Sequence, residues 1–415
     1  RQIMNKQIKI LFTSVGRRVE LIQTFKRASV DSQVDIIVYG VDTSDTAPAL
    51  FFCDIKRKIC SINDANYIPE LIKLCQTENI NLLIPTIDTD LLLLALNKDL
   101  FEKVGTKVLI SNADKISICR DKRKTADFFM DCGLLTPVPV DTVISYQGSY
   151  PCFIKPLNGS SSINAFKVNN YAELRMYSQL VRDYIIQPFV EGTEYTVDIF
   201  CNFEGNPISI TPRKRLAVRG GEVLKTQISY DPKIIEECSR LIDRFKPCGP
   251  LTVQLIRQKV TEEDYYIEIN PRFGGGSPLS MMAGANSAEM ILHLLTNSDD
   301  KIEEYPIAKD NLIYCRFDQS ICINNKMNNS EKDYDAIIFD LDDTLYSEKD
   351  YVMSGFIEVG KVLNEIENVA DKLWYAFQKG ERAIEYVLES EGIYSDNLKD
   401  ICVQTYRGLK GKIIR

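Results

Sequence analysis

The chain has 415 residues, enough for two or three domains, and its 45% hydrophobic and 26% charged content is that of a soluble globular protein rather than a disordered one. A net charge of -8 argues against general nucleic-acid binding, which needs a basic face. No membrane partner is expected, because the best apolar run, "LLIPTIDTDLLLLAL", is interrupted by Asp88 and Asp90. Residues 7–14, "QIKILFTS", read as a buried strand, and "VGRRVELIQTFKRA" as a loop entering a helix. "VDIIVYGVDTS" is a second strand ending at Asp42, "YIPELIKLCQTENI" an amphipathic helix, and "NLLIPTID" a third strand. Strands alternating with helices imply a parallel α/β sheet, which binds ligands at the carboxyl ends of its strands. Gly16, Arg17, Asp42, Thr86, Asp88 and Asp90 fall near those ends. No GxGxxG follows the first strand, so NAD is not expected.

"SICRDKRKTADFFMDCGLLTPV" reads as one helix that packs through Phe128 and Phe129 and closes at Gly133. In "YPCFIKPLNGSSSINAFKV" a strand delivers Lys155, and a loop of Asn158, Gly159, Ser160, Ser161 and Ser162 leads into the next strand. Small residues let backbone N–H groups approach phosphates, and lysine adds a point charge to the same oxygens. "YIIQPFVEGTEYTVDIF" is a strand, a short hinge with a glycine turn, and a strand whose Glu194, Thr196 and Asp198 share a face while Val197 and Ile199 face the core. "ISITPRKRLAVRGGEVLKT" carries Arg213, Lys214, Arg215 and Arg219, of which Arg213 is the candidate to cradle a carboxylate or a transferred phosphate.

The richest stretch is "YYIEINPRFGGGSP". Its alternation reads as a strand with Glu268 and Asn270 on one face and Ile267 and Ile269 packing on the other. The upstream "GPLTVQLI" adds Gln254 on the neighbouring strand. Three oxygen donors beside Arg272 suit Mg²⁺ shared with a polyphosphate, since Mg²⁺ prefers oxygen and arginine forks onto phosphate.

Taken in order, these motifs resemble the ATP-grasp ligases, especially the carbamoyl-phosphate synthetase-like branch, over residues 8 to about 320. The resemblance implies ATP with Mg²⁺ (or Mn²⁺) as cofactors and a Rossmann-like pre-ATP-grasp domain (1–114) that helps form the acceptor pocket. It implies an ATP-grasp fold of two α+β subdomains over 115–324. Lys122 and Lys155 would meet the phosphates under a lid containing Gly159, Ser160 and Ser161. Backbone groups from Gln187 and Val190 would read adenine, and Glu194, or Glu191, would bind the ribose. Glu268 would bridge two metal ions, with Gln254 on one and Asn270 on the other, and Arg272 would face the γ-phosphate. Members of the synthetase branch often carry a histidine between the hinge and the metal strands; this chain has only His293, expected on a helix. That departure argues against true carbamoyl-phosphate synthesis. That lone helical histidine argues against a Ser-His-Asp triad and against a multi-histidine zinc site.

Residues 325–333, "NKMNNSEKD", read as a linker. The following "YDAIIFDLDDTLYSEKDYV" is similar to the first motif of haloacid-dehalogenase-like (HAD-like) phosphohydrolases, an α/β fold with a helical cap, and the similarity covers 334–415. It implies that Asp340 is a nucleophile on phosphorus, that Asp342 is the general acid/base, and that both help to bind Mg²⁺. The rest of the tail is helical by periodicity, as a cap would be. The family's later lysine and acidic pair do not follow before Arg415, so no phosphatase activity is expected of this piece. Met4 reads as a natural start. Twelve cysteines with no CxxC pair and no signal peptide read as reduced thiols of a cytoplasmic protein.

The expected function is ATP-dependent ligation of a small carboxylate to an amine or thiol, through an acyl phosphate. The alternatives are a phosphohydrolase with a nucleotide-binding half and a non-catalytic ATP-binding regulator. The resemblance leaves a homodimer open, because related ligases are often dimers.

Overall fold

The apolar run at the start of the chain is a central strand. In the computed structural model, which describes residues 7–157, 164–296, 306–323 and 348–408, β1 (Ile8–Thr13) is buried at five of its six positions. A strand covered on both faces needs apolar side chains in near-continuous sequence. β1 lies between β2 (Ile36–Asp42) and β4 (Leu82–Pro85), with β3 (Ile55–Lys58) and β5 (Lys107–Val108) at the edges, in the all-parallel order β3-β2-β1-β4-β5. Helices α1 (Val19–Asp31), α2 (Tyr67–Glu78), α3 (Leu91–Leu96) and α4 (Lys98–Lys103) make the connections. β3 was not read from the sequence because "IKRK" is largely exposed and has no apolar alternation.

The strand order reverses between β1 and β4, so the loops that leave them diverge and open a crevice. Thr86 Oγ1 donates to the carbonyls of Thr13 (3.0 Å) and Ser14 (2.7 Å), tying the two loops together. Asp42 accepts the Gly16 N–H at 2.8 Å. Asp90 is fully buried and takes three hydroxyl donors, Thr13, Ser14 and Tyr67, each at 3.2 Å. Burial outweighs those hydrogen bonds and pushes its carboxyl up to about 6.

The stretch expected as one helix is two, α5 (Ala113–Arg120) and α6 (Lys122–Asp131). Asp121 between them is extended, and its side chain caps the Arg123 N–H at 2.9 Å. An aspartate that satisfies an orphan N–H starts a helix rather than continuing one. Lys122 is thereby set at the first position of α6.

A small antiparallel sheet follows, in the order β7-β6-β8, from β6 (Cys152–Pro156), β7 (Phe166–Val168) and β8 (Tyr184–Pro188), with α7 (Tyr171–Leu180) against it. The largest sheet is antiparallel, β13-β12-β9-β10-β11-β14. It contains β9 (Gly192–Cys201), β10 (Pro207–Arg219), β11 (Glu222–Ile228), β12 (Pro250–Gln258), β13 (Asp264–Asn270) and β14 (Ile313–Cys315). One face is covered by α8 (Pro232–Phe245), whose Ile234, Cys238, Leu241, Ile242 and Phe245 share one buried stripe. α9 (Ser277–Met282) and α10 (Ser287–Thr296, which carries His293) pack with α1. Phe12, Phe25 and Phe273 form an edge-to-face aromatic chain there, so β1, α1 and the loop after β13 share one core.

A buried ion group fixes the end of the β12–β13 pair. Arg257 holds Asp264 with two hydrogen bonds (2.7 and 2.8 Å) and reaches the α8 capping residue Asp231 at 2.5 Å. Those bonds raise the Arg257 pKa well above its ordinary value.

Residues 1–323 form one compact unit and 324–415 a second. The described part of the second unit is four helices, α11 (Glu348–Val362), α12 (Val369–Gln378), α13 (Ala383–Ser390) and α14 (Asp396–Arg407), around Val359, Leu373, Ala376, Leu388 and Cys402. Among the described residues, no helix is long and apolar enough to cross a membrane.

Two outcomes follow. Removing Arg257 takes two charged hydrogen bonds from buried Asp264, which keeps only Lys233 at 3.3 Å among the described residues, and one from Asp231, so Arg257→Ala should lower the unfolding free energy by roughly 1.5–3 kcal/mol in urea denaturation. A loss near zero would show that the group contributes nothing net. Asp90, raised from 3.8 to about 6, holds its proton more tightly in the fold than in the unfolded chain. Its contribution is therefore complete below pH 3.8 and lost as pH rises through about 6. Asp90→Asn should gain on the wild type by up to about 3 kcal/mol across that window, and a pH-independent difference would contradict the burial argument.

Candidate active site

Strand register builds the site. β13 and β12 place Glu268 opposite Gln254 and Asn270 opposite Thr252. β12 and β9 place Gln254 opposite Thr196 and Thr252 opposite Asp198, and β9 and β10 place Thr196 opposite Arg213. Residues directly opposed across strands project to the same face. One face therefore carries a row of Glu268, Gln254, Thr196 and Arg213, with Asn270, Thr252 and Asp198 in the row beside it. The face floors a cavity of about 520 Å³.

The pairing slips by one residue between Gln254 and Leu255, which face Glu268 and Tyr266. Ile267 is the extra residue of this β-bulge. It corrects the simple alternation: Tyr266 and Ile269 are the core residues, whereas Ile267 lines the cavity beside Glu268.

Lys155 on β6 and Lys122 at the head of α6 enter the same cavity. Burial lowers the Lys155 ammonium to about 8; Glu268 partly offsets this and Lys122 reinforces it. Burial also lowers Lys122, with Glu268 opposing, and its Nζ donates to the Leu157 carbonyl at 3.1 Å. The Asn270 amide donates to Glu268 at 3.0 Å, and Gln254 Oε1 accepts from Arg215 at 3.0 Å. Gln254, Glu268 and Asn270 offer oxygen donors with a single carboxylate among them. That set fits a hard cation whose remaining ligands come from phosphates.

The hinge residues Gln187, Val190, Glu191 and Glu194 line the cavity too. The Gln187 side chain is buried and donates to the Pro137 carbonyl at 2.5 Å, so only its backbone is available to a ligand. Gly192 opens β9 rather than making a turn: opposite Gln258, a Cβ there would sit 1.9 Å from the Arg257 carbonyl oxygen. Glu194 is half exposed and pairs with Arg215 at 3.2 Å.

Arg213 differs from its expected role. It is 1% exposed, with Nε and Nη2 on Asp198 (2.6 and 3.3 Å) and Nη1 on Thr226 (3.3 Å). Asp198 also accepts from Ser277 and Ser280. A guanidinium this engaged has few donors left to cradle a substrate. Arg272 is 12% exposed; it reaches Asp88 at 2.5 Å and the Phe273 carbonyl at 3.1 Å. Gly159, Ser160, Ser161, Asp340 and Asp342 lie outside the described residues.

Three comparisons with known proteins bear on this cavity. A family model described as an ATP-grasp domain matches residues 119–276. Residues 119–276 are an ATP-grasp domain. A model described as "PylC-like, N-terminal domain" matches 10–109. A 3-methyl-D-ornithine–L-lysine ligase of Methanosarcina mazei is 25% identical over 230 residues, 54% of this chain and 57% of that protein. A D-alanine–D-alanine ligase of a Thermoanaerobacter species is 31% identical over 143 residues, 31% of this chain and 36% of that protein. The chain thus spans little more than half of the first of these relatives and about a third of the second. Among solved structures, biotin carboxylase from Campylobacter jejuni superposes with a TM-score of 0.60 at 16% identity, covering 74% of this chain and 75% of that one. An L-amino acid ligase from Bacillus licheniformis does so at 0.54 and 17%, covering 69% and 74%. These structures share the fold. None of the relatives named here is a carbamoyl-phosphate synthetase.

Arg18 and Asp88 lie outside the ATP-grasp domain in sequence yet reach the loop that follows β13, at Gly275 and Arg272. Arg18 lines the cavity, while its neighbour Arg17, singled out from the sequence, is exposed and 3.9 Å from Asp318. Arg215 was also missed as a site residue. Its signal was present, since it stands two residues after Arg213 on one strand, and alternate residues share a face.

The glycine loop of the ATP-grasp domain has no slack at Gly276, where a Cβ would stand 2.7 Å from Arg213 Nη2. Because Asp198 pins that guanidinium, Gly276→Ala should cost about 1–3 kcal/mol in denaturation. A neutral outcome would mean that Arg213 can move freely.

Proposed function

We propose that this chain is an ATP-dependent ligase that activates a carboxylate as an acyl phosphate and joins it to an amine (or thiol), releasing ADP and phosphate. The register that sets Gln254 against Glu268, with Asn270 beside them and Lys122 and Lys155 as charged neighbours, carries the reading. The names of the relatives, ligases of amino acids, support it. ATP takes the cavity with its adenine at the backbone of Gln187 and Val190 and its ribose near Glu194 or Glu191. Gln254, Glu268 and Asn270 are the residues that would hold Mg²⁺ (or Mn²⁺), which when bound would supply charge screening to the phosphates. A carboxylate oxygen attacks the γ-phosphorus and ADP leaves. The amine then attacks the acyl carbon, phosphate leaves, and the amine gives up a proton.

The protein's part is positioning and charge stabilisation, as in other phosphoryl transfers. Burial withdraws Lys122 and Lys155 from water and lowers both ammonium groups, and the same low-dielectric setting strengthens their hold on phosphate oxygens. By the family resemblance Gly159, Ser160 and Ser161, which lie outside the described residues, are the candidates for backbone contact with the phosphates. Arg272, anchored on Asp88, faces the transferred phosphoryl group. We read 334–415 as part of a HAD-like hydrolase domain, on the "FDLDDT" motif with Asp340 and Asp342 and the helices that follow it. We expect a cytoplasmic protein and small-molecule substrates, with neither nucleic acid nor membrane as partner.

The test is ADP release from Mg-ATP with a pool of small carboxylates and amines. Stimulation by the pool should fall at least a hundredfold in Glu268→Gln, with the thermal midpoint unchanged, because Tyr266 and Ile269 rather than Glu268 pack β13 into the core. A Glu268→Gln protein that turns over ATP normally would sink the assignment.

A further inference from the structure

The four arginines of the cavity are not equivalent. Arg213 pairs with Asp198, Arg215 with Glu194 and Arg272 with Asp88. Arg18 alone of the four has no carboxylate within 4 Å among the described residues, and its guanidinium makes one hydrogen bond there, to the Thr86 carbonyl at 3.3 Å. A guanidinium has five N–H donors, and a charge withdrawn from water without a partner is unfavourable. Burial and the neighbouring Arg272 pull Arg18 down to about 10, against smaller opposing effects of Glu222 and Asp88.

Its position is as telling as its pairing. Arg18 is the last residue of the loop between β1 and α1, at the crevice where the order of the parallel sheet reverses, which is where such sheets bind ligands. On the other side stands the glycine loop, where a Cβ on Gly275 would lie 3.0 Å from Arg18 Nη1. Lys122 and Lys155 have Glu268 as their main charged neighbour, whereas Arg18 has Arg272, Glu222 and Asp88. The cavity therefore contains two separate cationic neighbourhoods, one suited to the nucleotide phosphates and one at the crevice.

We propose that Arg18 binds, as a bidentate fork, a substrate carboxylate that is not itself phosphorylated and survives the reaction. This rests on the ligase reading and narrows it. One substrate carries a spare carboxylate, either on the amine donor (an amino acid) or as the second acid of a dicarboxylate.

The test uses the 415-residue chain with two sets of probes: common amino acids beside their carboxamides, and succinate beside its monoamide. ADP release in the wild type should favour the free acid of one set, with a KM at least about tenfold below that of its amide, which is about 1.4 kcal/mol. The set that discriminates names the source of the carboxylate. Arg18→Gln should bring the ratio close to one with the KM for ATP unmoved, and Arg18→Lys should recover part of it. A ratio that survives Arg18→Gln, or a wild type that treats acid and amide alike, overturns the proposal. If no probe stimulates ADP release, the ligase reading fails, and the thermal midpoint judges Arg18 by itself. A rise with free acids that is absent in Arg18→Gln upholds the site, and no rise in the wild type overturns it.

Discussion

The site depends on one buried charge. Asp198 sits on β9, in the middle of the large sheet, where water cannot solvate it. It must be met by donors from every side, and it is: Arg213 from β10, and Ser277 and Ser280 from the start of α9. Satisfying one carboxylate thus fixes the height of the glycine loop above the sheet, because that loop runs directly into α9. The loop in turn sets the end of β13, with Asn270 and Arg272. A buried ion pair of this kind adds little net stability, but it specifies geometry, since a misplaced partner leaves a charge unpaired.

The second organising feature is the seam between the parallel sheet and the ATP-grasp domain. Arg272 crosses it to Asp88, and the Phe12, Phe25 and Phe273 chain packs beneath it. Arg316 crosses elsewhere to Glu20 at 3.2 Å. Groups from two sequence regions thus meet at one cavity.

Much of this was legible in the residues. Period-two patterning located β9, β12 and β13, and the oxygen-bearing side chains on them marked the face that binds. The alternating α/β pattern gave the parallel sheet and directed attention to its strand ends. What stayed hidden depends on register and burial. The bulge at Ile267 cannot be seen in one strand, because it exists only relative to β12. The engagement of Arg213 depends on a partner 15 residues away on an adjacent strand. The choice of Arg18 over Arg17 turns on the exact residue at which α1 begins, and helix boundaries are what sequence patterns fix least well. The split at Asp121 could have been read, since an aspartate immediately before a helical run is a capping signal.

The shared core has a consequence for how the chain can be divided. The regions matched by the two family models meet in sequence between 109 and 119. Their apolar side chains do not separate there: Phe200, Ile208 and Phe273 pack in one cluster with Ile10, Phe12, Ile22 and Phe25. The evolutionary module and the folding module are therefore different objects in this protein. Recombination at 109–119 would conserve each motif yet cut through a single hydrophobic interior, so the two halves can diverge in sequence only as a co-adapted pair.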